Sequence, residues 1–111
     1  GAVVLLFTAG LETNLETFRA DVAFIGADAV DADGLYTRSQ EIARVSRAMI
    51  ATAGRKTLLA DSSKFGRTAF VRFAGWESLD GVVVDEGLGA DHEQWLREAV
   101  EDVTLVSCSQ E

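Results

Sequence analysis

Short, unbroken apolar runs that alternate with helical patterns constrain the fold of this 111-residue chain more than any other feature. Such runs are typical of parallel strands, which are buried on both faces and therefore read as continuous hydrophobic segments. Because helical stretches separate the runs, the predicted fold class is α/β, a mostly parallel sheet with helices on its faces. The predicted strands are Ala2–Phe7, Val22–Gly26, Thr57–Ala60, Gly81–Val84 and Val103–Val106.

The clearest helical pattern covers Ser39–Ala53. Ser39 is suited to the N-cap position, apolar residues recur on one face, and Gly54 has the position of a C-terminal stop. Arg44 and Arg47 fall off or at the edge of the apolar face, so we expect both to be solvated. Either could reach a phosphate if this helix borders a pocket.

Two further segments have helical patterns. Leu11–Arg19 places apolar residues on one face and could form a helix between the first two strands. Near the end of the chain, Asp91 and Gln94 form a capping-box-like pair, which predicts a helix from Asp91 to about Val100. His92, the only histidine, would then be a surface residue in the first helical turn.

Length and composition indicate one ordinary globular domain. Hydrophobic residues make up 48% and charged residues 25% of the chain, which argues against disorder. The net charge of −8 and the pI of about 4.5 give a surface that repels phosphate backbones, so the chain alone is a poor candidate for binding nucleic acid. No apolar run approaches the roughly 20 residues of a membrane span, and we expect no membrane partner.

The ends of the chain indicate its context. Cys108 is the single cysteine and cannot form an internal disulfide, which fits a reducing compartment such as the cytoplasm. The sequence has no starting Met and reaches an apolar strand at residue 2, so we expect a domain cut from a longer chain.

Polar residues follow the predicted central strand directly. Asp61, Ser62, Ser63 and Lys64 fall where open α/β sheets place their ligand sites, at the carboxyl end of a strand. A carboxylate, two hydroxyls and an ammonium could bind a polyhydroxylated, negatively charged small molecule. The same residues could instead cap a short helix starting near Phe65.

An acidic segment, Ala27–Gly34, follows the second strand and reads as a loop. Asp31 and Asp33 form part of a D-x-D-G element, but the later glutamate of a calcium loop is missing. We therefore interpret the segment as a solvated turn with one ligand-facing aspartate. With a single histidine we expect neither a metal cluster nor a histidine-based catalytic triad, and no cofactor motif is present.

Four blocks of the sequence resemble one family in the right order and spacing. They are Ala20–Thr37, Arg47–Ile50, Leu59–Gly66 and Val83–Asp85. Together they are similar to the C-terminal effector-sensing domain of DeoR/GlpR-type bacterial transcriptional regulators. The resemblance extends from about Asp21 to Val106, and the segment around residues 8–20 departs most from the family.

The resemblance implies a Rossmann-like three-layer α/β/α fold, related to sugar-phosphate isomerases and CoA transferases. It implies a sensor that binds a phosphorylated sugar, assembles as a homo-oligomer and reaches operator DNA only through an N-terminal winged helix-turn-helix outside this sequence. The family's phosphate-binding loop would normally lie in the domain's N-terminal half and is not evident here. The implied ligand-binding residues are first Asp28 and Lys64, then Thr37, Tyr36, Asp61 and Ser63.

A comparison with ribose-5-phosphate isomerase, which resembles the chain in the same blocks, bears on catalysis. Ile25, Thr37 and Ser46 fall where that enzyme has an aspartate, a lysine and a glutamate, and none of them can serve as a proton-transfer base or a cation. Asp28 and Lys64 match ligand-facing positions. We therefore expect a binding domain without catalytic residues. The alternatives are a small sugar-phosphate isomerase and a purely structural oligomerisation domain.

Overall fold

The computed structural model describes residues 4–6 and 20–107. This part of the chain forms a five-stranded sheet, a smaller three-stranded sheet and two α-helices. The large sheet contains β1 (Val4–Leu6), β2 (Ala20–Ile25), β5 (Ala53–Ala60), β7 (Gly81–Asp85) and β8 (Asp102–Val106). The small sheet contains β3 (Ala29–Asp31), β4 (Gly34–Thr37) and β6 (Val71–Ala74), and the helices are α1 (Gln40–Thr52) and α2 (Ala90–Ala99). The predicted helix at Leu11–Arg19 and Cys108 lie outside the described residues.

All neighbouring strands of the large sheet are parallel, in the order β1-β2-β5-β7-β8. Ile25 pairs with Leu58, and Ala60 pairs with Val84, so the carboxyl ends of β2, β5 and β7 meet at one edge. The spatial order follows the chain order, and the usual right-handed crossover therefore puts the connecting helices on one face. These features confirm the predicted Rossmann-like α/β class.

The core lies between that face and the two helices. Ile25, Leu58 and Val84 are buried there with Met49 of α1 and Leu96 of α2. On the opposite face, Leu59 is 44% and Val106 41% exposed. The described residues therefore supply the sheet and one of the helical layers of a three-layer fold.

Helix α1 begins as predicted and ends differently. The Ser39 hydroxyl accepts hydrogen bonds from the N–H groups of Glu41 (3.2 Å) and Ile42 (3.3 Å), which confirms the N-cap. Gly54 is not a stop, because the backbone turns extended at Ala53 and passes straight into β5. The central strand therefore begins four residues before the predicted Thr57, because Arg55 and Lys56 interrupt the apolar pattern near its start.

Arg47 connects α1 to the small sheet. Its guanidinium donates hydrogen bonds to the carbonyl oxygens of Phe73 (3.2 Å) and Arg72 (3.0 Å) in β6. Arg47 is exposed, as predicted, and its guanidinium bonds to the end of a neighbouring strand while the side chain stays at the surface.

The N-cap of helix α2 lies two residues earlier than the capping-box pattern predicted. The N-cap is Gly89, which has no side chain to cap the helix. Asp91 lies in the first turn, where its negative charge complements the helix dipole. Leu96 is fully buried. The prediction of a surface histidine is wrong, since His92 is half-buried against Trp95.

The acidic segment after β2 is a β-hairpin rather than a loop. Strands β3 and β4 pair in antiparallel fashion, and their apolar residues Val30 and Leu35 are fully buried. Between them, the Asp31 carboxylate accepts hydrogen bonds from the N–H groups of Asp33 (2.9 Å) and Gly34 (3.2 Å). The polar turn residues dominate the sequence pattern, and the few buried apolar residues, Ala29, Val30 and Leu35, are too weak a signal to identify the hairpin.

Neither helix in the described part of the chain is long and apolar enough to cross a membrane.

Candidate functional site

Four of the predicted site residues, Asp28, Asp61, Ser63 and Lys64, follow strand ends at the carboxyl edge of the parallel sheet. Strand β2 ends three residues before Asp28, and β5 ends directly before the segment from Asp61 to Lys64. The Lys64 ammonium is near enough to Asp28 to affect its ionisation. Asp28 and Lys64 are therefore brought to one place by two neighbouring strands, as open α/β sheets commonly arrange their ligand sites.

Asp28 is held by the hairpin that follows it. Its Oδ2 accepts hydrogen bonds from the Thr37 hydroxyl (3.0 Å) and the Arg38 N–H (2.8 Å). The Arg38 Nε lies 3.6 Å from the same oxygen, and the Arg38 side chain is 82% exposed. A backbone bond from the Asp28 N–H to the Tyr36 carbonyl oxygen (2.9 Å) fixes the main chain. These contacts leave Oδ1 without a hydrogen bond from the described residues.

The surroundings of Asp28 favour its charged form. Partial burial of the carboxyl raises its pKa. The hydrogen bonds from Arg38 and Thr37 and the charges of Arg38 and Lys64 lower the pKa, and together they outweigh the effect of burial. The pKa of Asp28 therefore lies below its ordinary value. At neutral pH the carboxylate is ionised and can only accept hydrogen bonds. Two cations thus border one carboxylate.

Lys64 ends a single 3-10 turn, Ser62–Lys64, that follows β5. Its backbone N–H donates to the Asp61 carbonyl oxygen (2.9 Å), which fixes the turn. The side chain is half-buried, and its ammonium forms no ion pair within the described part of the chain. A positive charge in this state is free to pair with an incoming anion.

Asp61 and Ser63 bond to each other. The Asp61 carboxylate accepts from the Ser63 N–H (3.1 Å) and from the Ser63 hydroxyl. Asp61 is therefore the N-cap of the turn, which agrees with the capping alternative for this segment. The capped element is the turn itself, however, and no helix starts near Phe65.

Thr37 and Tyr36 face different ways because they are successive residues of β4. Thr37 is only 1% exposed, and its hydroxyl donates a hydrogen bond to the Asp28 carboxylate. The Tyr36 hydroxyl donates to Asp31 (3.4 Å) instead. The pKa of Tyr36 is raised, mainly by burial and then by the hydrogen bond to Asp31 and the negative charge of Asp31. The hydroxyl therefore stays protonated.

Comparison with known proteins identifies the family. Residues 6–86 match the family model described as the DeoR C terminal sensor domain. That range is most of the chain and includes both Asp28 and Lys64. The chain belongs to the DeoR C-terminal sensor domain family. This result confirms the resemblance seen in the four sequence blocks.

Among the relatives of this sensor domain are transcriptional regulators. The chain is 36% identical to a putative aga operon transcriptional repressor of Escherichia coli O157:H7 over 96 residues, which cover 86% of this chain and 36% of the relative. It is also 36% identical to the HTH-type transcriptional regulator GlpR of Haloferax volcanii over 96 residues, covering 86% and 37%. It is 33% identical to the glycerol-3-phosphate regulon repressor of Escherichia coli K12 over 72 residues, covering 64% and 29%. The chain thus spans about a third of the length of its curated relatives.

A second carboxylate at the site was not singled out by sequence. At the end of β7, Asp85 accepts hydrogen bonds from the Ser62 N–H (2.6 Å), the Ser62 hydroxyl (2.7 Å) and the Gly87 N–H (2.9 Å). The two bonds from Ser62 are the main reason that the pKa of Asp85 lies below its ordinary value. Asp85 fastens the start of the Lys64 turn to the neighbouring strand. The sequence signal that could have identified Asp85 is that polar residues follow the apolar residues of both β5 and β7.

The three positions that differ from the isomerase pattern are all in the interior. Ile25 and Thr37 are 1% exposed, and Ser46 is completely buried on α1. The Ser46 hydroxyl has no hydrogen-bond partner among the described residues. Side chains buried to this degree have almost no surface to offer a substrate. In the described part of the chain, no three side chains of the metal-ligating types are arranged to hold a metal ion.

Proposed function

We propose that this sensor domain binds a phosphorylated sugar and controls a transcriptional regulator of sugar metabolism, usually a repressor. The observation that carries the proposal is the ionised Asp28 carboxylate bordered by Arg38 and Lys64 at the carboxyl edge of the sheet. A sugar phosphate has the complementary groups, since its hydroxyls donate hydrogen bonds and its phosphate needs cations. The names of the relatives support the regulatory role.

In this proposal each residue has a distinct task. The Oδ1 atom of Asp28 accepts hydrogen bonds from sugar hydroxyls, and Lys64 pairs with the phosphate. Arg38, exposed beside Asp28, turns toward the phosphate and adds a planar donor that can make two parallel bonds. Thr37 holds Asp28 in place, and the remaining neighbours contribute from the rim of the site. Those neighbours are Tyr36, Asp61 and Ser63.

The complete regulator would contain an N-terminal winged helix-turn-helix that contacts operator DNA, in the cytoplasm. The sensor domains would assemble as a homo-oligomer. For the sugar phosphate to act as a signal, it must bind one arrangement of that oligomer more tightly than another, because equal affinity for both shifts nothing.

We propose that the domain does not catalyse isomerisation. An aldose–ketose isomerase needs a carboxylate base beside the substrate carbon and a cation for the enediolate. The burial of Ile25, Thr37 and Ser46 supports this view, because the matching positions carry neither group and are closed to a substrate.

The test is a thermal-shift screen of this chain against sugar phosphates and their unphosphorylated parents. A ligand that binds only the native state raises the midpoint, and at about 100 times its dissociation constant it stabilises by about 2.7 kcal/mol. We expect one phosphorylated sugar to raise the midpoint and its parent sugar to fail. Lys64→Ala should abolish the shift. Lys56→Ala is the matched control, because it removes the same charge from the middle of β5, away from the turn that carries Lys64.

Three results would contradict the proposal. If the folded chain responds to no sugar phosphate, the roles of Asp28 and Lys64 are wrong and an oligomerisation domain remains. If Lys56→Ala and Lys64→Ala weaken binding equally, the effect is one of overall charge rather than of a site. If proton NMR detects aldose–ketose interconversion by the wild-type chain, the isomerase alternative is correct.

A further inference from the structure

Four aromatic rings form a cluster between α2 and the turn that carries Lys64. Its members are Phe65, Trp76, His92 and Trp95. Ring centroids are 6.1 Å apart for Phe65 and His92, 6.1 Å for Phe65 and Trp95, 5.6 Å for Trp76 and Trp95, and 6.0 Å for His92 and Trp95. Phe65 directly follows Lys64 in the chain, so the cluster begins beside the candidate site.

His92 lies over the backbone just after the turn. A Cβ atom added at Gly66 would be 3.1 Å from both Cε1 and Nε2 of the imidazole. Gly66 also has a φ of 80°, a conformation that side chains disfavour. Its N–H donates to the Val30 carbonyl oxygen (2.8 Å), which joins the turn to the hairpin that follows Asp28. The site has two halves, the Lys64 turn and the β3–β4 hairpin. The imidazole thus packs against Gly66, the residue whose backbone bond joins these two halves.

The orientation of that imidazole is fixed by Trp95. The Trp95 indole N–H donates to the Nδ1 atom of His92 (3.1 Å), and the two rings lie at 87° to each other. Because they are three residues apart on α2, the helix holds both on one side. Trp76, the next ring, donates its indole N–H to the Asp31 carbonyl oxygen in the hairpin (2.8 Å). The cluster therefore touches both halves of the site and α2.

We propose that His92 is a positioning residue for effector binding. Held by Trp95, it keeps the Lys64 turn and the hairpin in their binding arrangement, and it transmits occupancy of the site to α2. This inference rests on the proposed function. A ring that only filled space would make the same packing contacts without needing a nitrogen at the Nδ1 position.

Two substitutions separate positioning from packing. His92→Phe keeps a ring over Gly66 but removes the acceptor, whereas His92→Asn loses the ring but has a carbonyl oxygen on Cγ, the atom that carries Nδ1 in histidine. We expect His92→Phe to raise the dissociation constant for the sugar phosphate found in the screen about tenfold, the effect of one hydrogen bond. His92→Asn should recover most of that loss.

The indole N–H resonance of Trp95 gives a readout that does not depend on affinity. It should move upfield in His92→Phe, return toward its wild-type position in His92→Asn, and shift in the wild-type chain when the sugar phosphate is added. If a His92 variant does not fold, Trp95→Phe removes the donor instead. It should weaken binding by a similar factor, and its effect should not add to that of His92→Phe.

The outcomes distinguish this inference from the function on which it rests. If Lys64→Ala abolishes binding while His92→Phe binds as tightly as the wild-type chain, the effector site stands and the role of His92 is wrong. If His92→Asn binds as poorly as His92→Phe, packing rather than the acceptor is responsible, and the inference is again wrong. If the wild-type chain binds no sugar phosphate, the proposed function fails and this inference fails with it.

Discussion

At the scale of single residues, Asp85 performs a structural task that only an ionised carboxylate can perform well. Both of its oxygens accept hydrogen bonds, from two groups of Ser62 and from the Gly87 N–H. Bonds to a charged acceptor are roughly twice as strong as those between neutral groups. The residue thereby attaches the Lys64 turn to β7, although it has no part in ligand binding as proposed above.

This arrangement predicts how stability depends on pH. Because the folded state lowers the pKa of Asp85, the unfolded chain takes up a proton first as the pH falls. Asp85 therefore contributes its full stabilisation at pH values above its unfolded pKa of about 3.9. That stabilisation is lost as the pH falls from there through the lower pKa of the folded state. We expect Asp85→Asn to reduce the free energy of unfolding at pH 7 and to flatten its decline below about pH 4.

Urea denaturation at a series of pH values measures both effects. The control is Asp33→Asn, which removes the same charge from an exposed turn. A decline in acid as steep for Asp85→Asn as for the wild-type chain would show that other carboxylates dominate.

At the scale of elements, adjacent leucines of β5 report which face of the sheet is covered. Leu58 is completely buried toward the helices, while Leu59 points to the opposite face and is 44% exposed. A truncated core leucine costs about 2–5 kcal/mol, whereas we expect a truncation on the open face to cost less than about 1 kcal/mol.

Leu58→Ala and Leu59→Ala form a matched pair for this prediction. The two changes delete the same atoms from neighbouring positions, so their difference reflects the environment alone. Equal losses in urea denaturation of the isolated chain would mean that something also covers the second face in solution.

At the scale of the whole molecule, charge predicts what this chain does not bind. Its net charge of −8 opposes approach to a polyanion. We expect the chain alone to leave the fluorescence anisotropy of a labelled DNA duplex unchanged at about physiological salt. A full-length regulator of the family is the positive control. A salt-dependent rise in anisotropy with this chain would show a DNA-binding surface within the sensor domain.

Much of the fold could be predicted because it depends on local patterns. The apolar runs identified the strands of the parallel sheet, and Ser39 identified the start of α1. The hairpin of β3 and β4 was missed because each short strand carries a single fully buried apolar side chain within polar surroundings. The prediction that Gly54 stops the helix was wrong. Glycine is common just after helices, but here the strand β5 begins directly after α1 and contains Gly54.

By itself the sequence determined the fold class, the family and the candidate residues Asp28 and Lys64, since these depend on residue types and their spacing. Only the tertiary structure decided that Arg38 borders Asp28, that Asp85 holds the Lys64 turn, and that His92 closes over Gly66. Each of these contacts joins groups brought together by strand pairing or helix packing. Their geometry depends on how separate elements meet, and no local pattern in the chain encodes it.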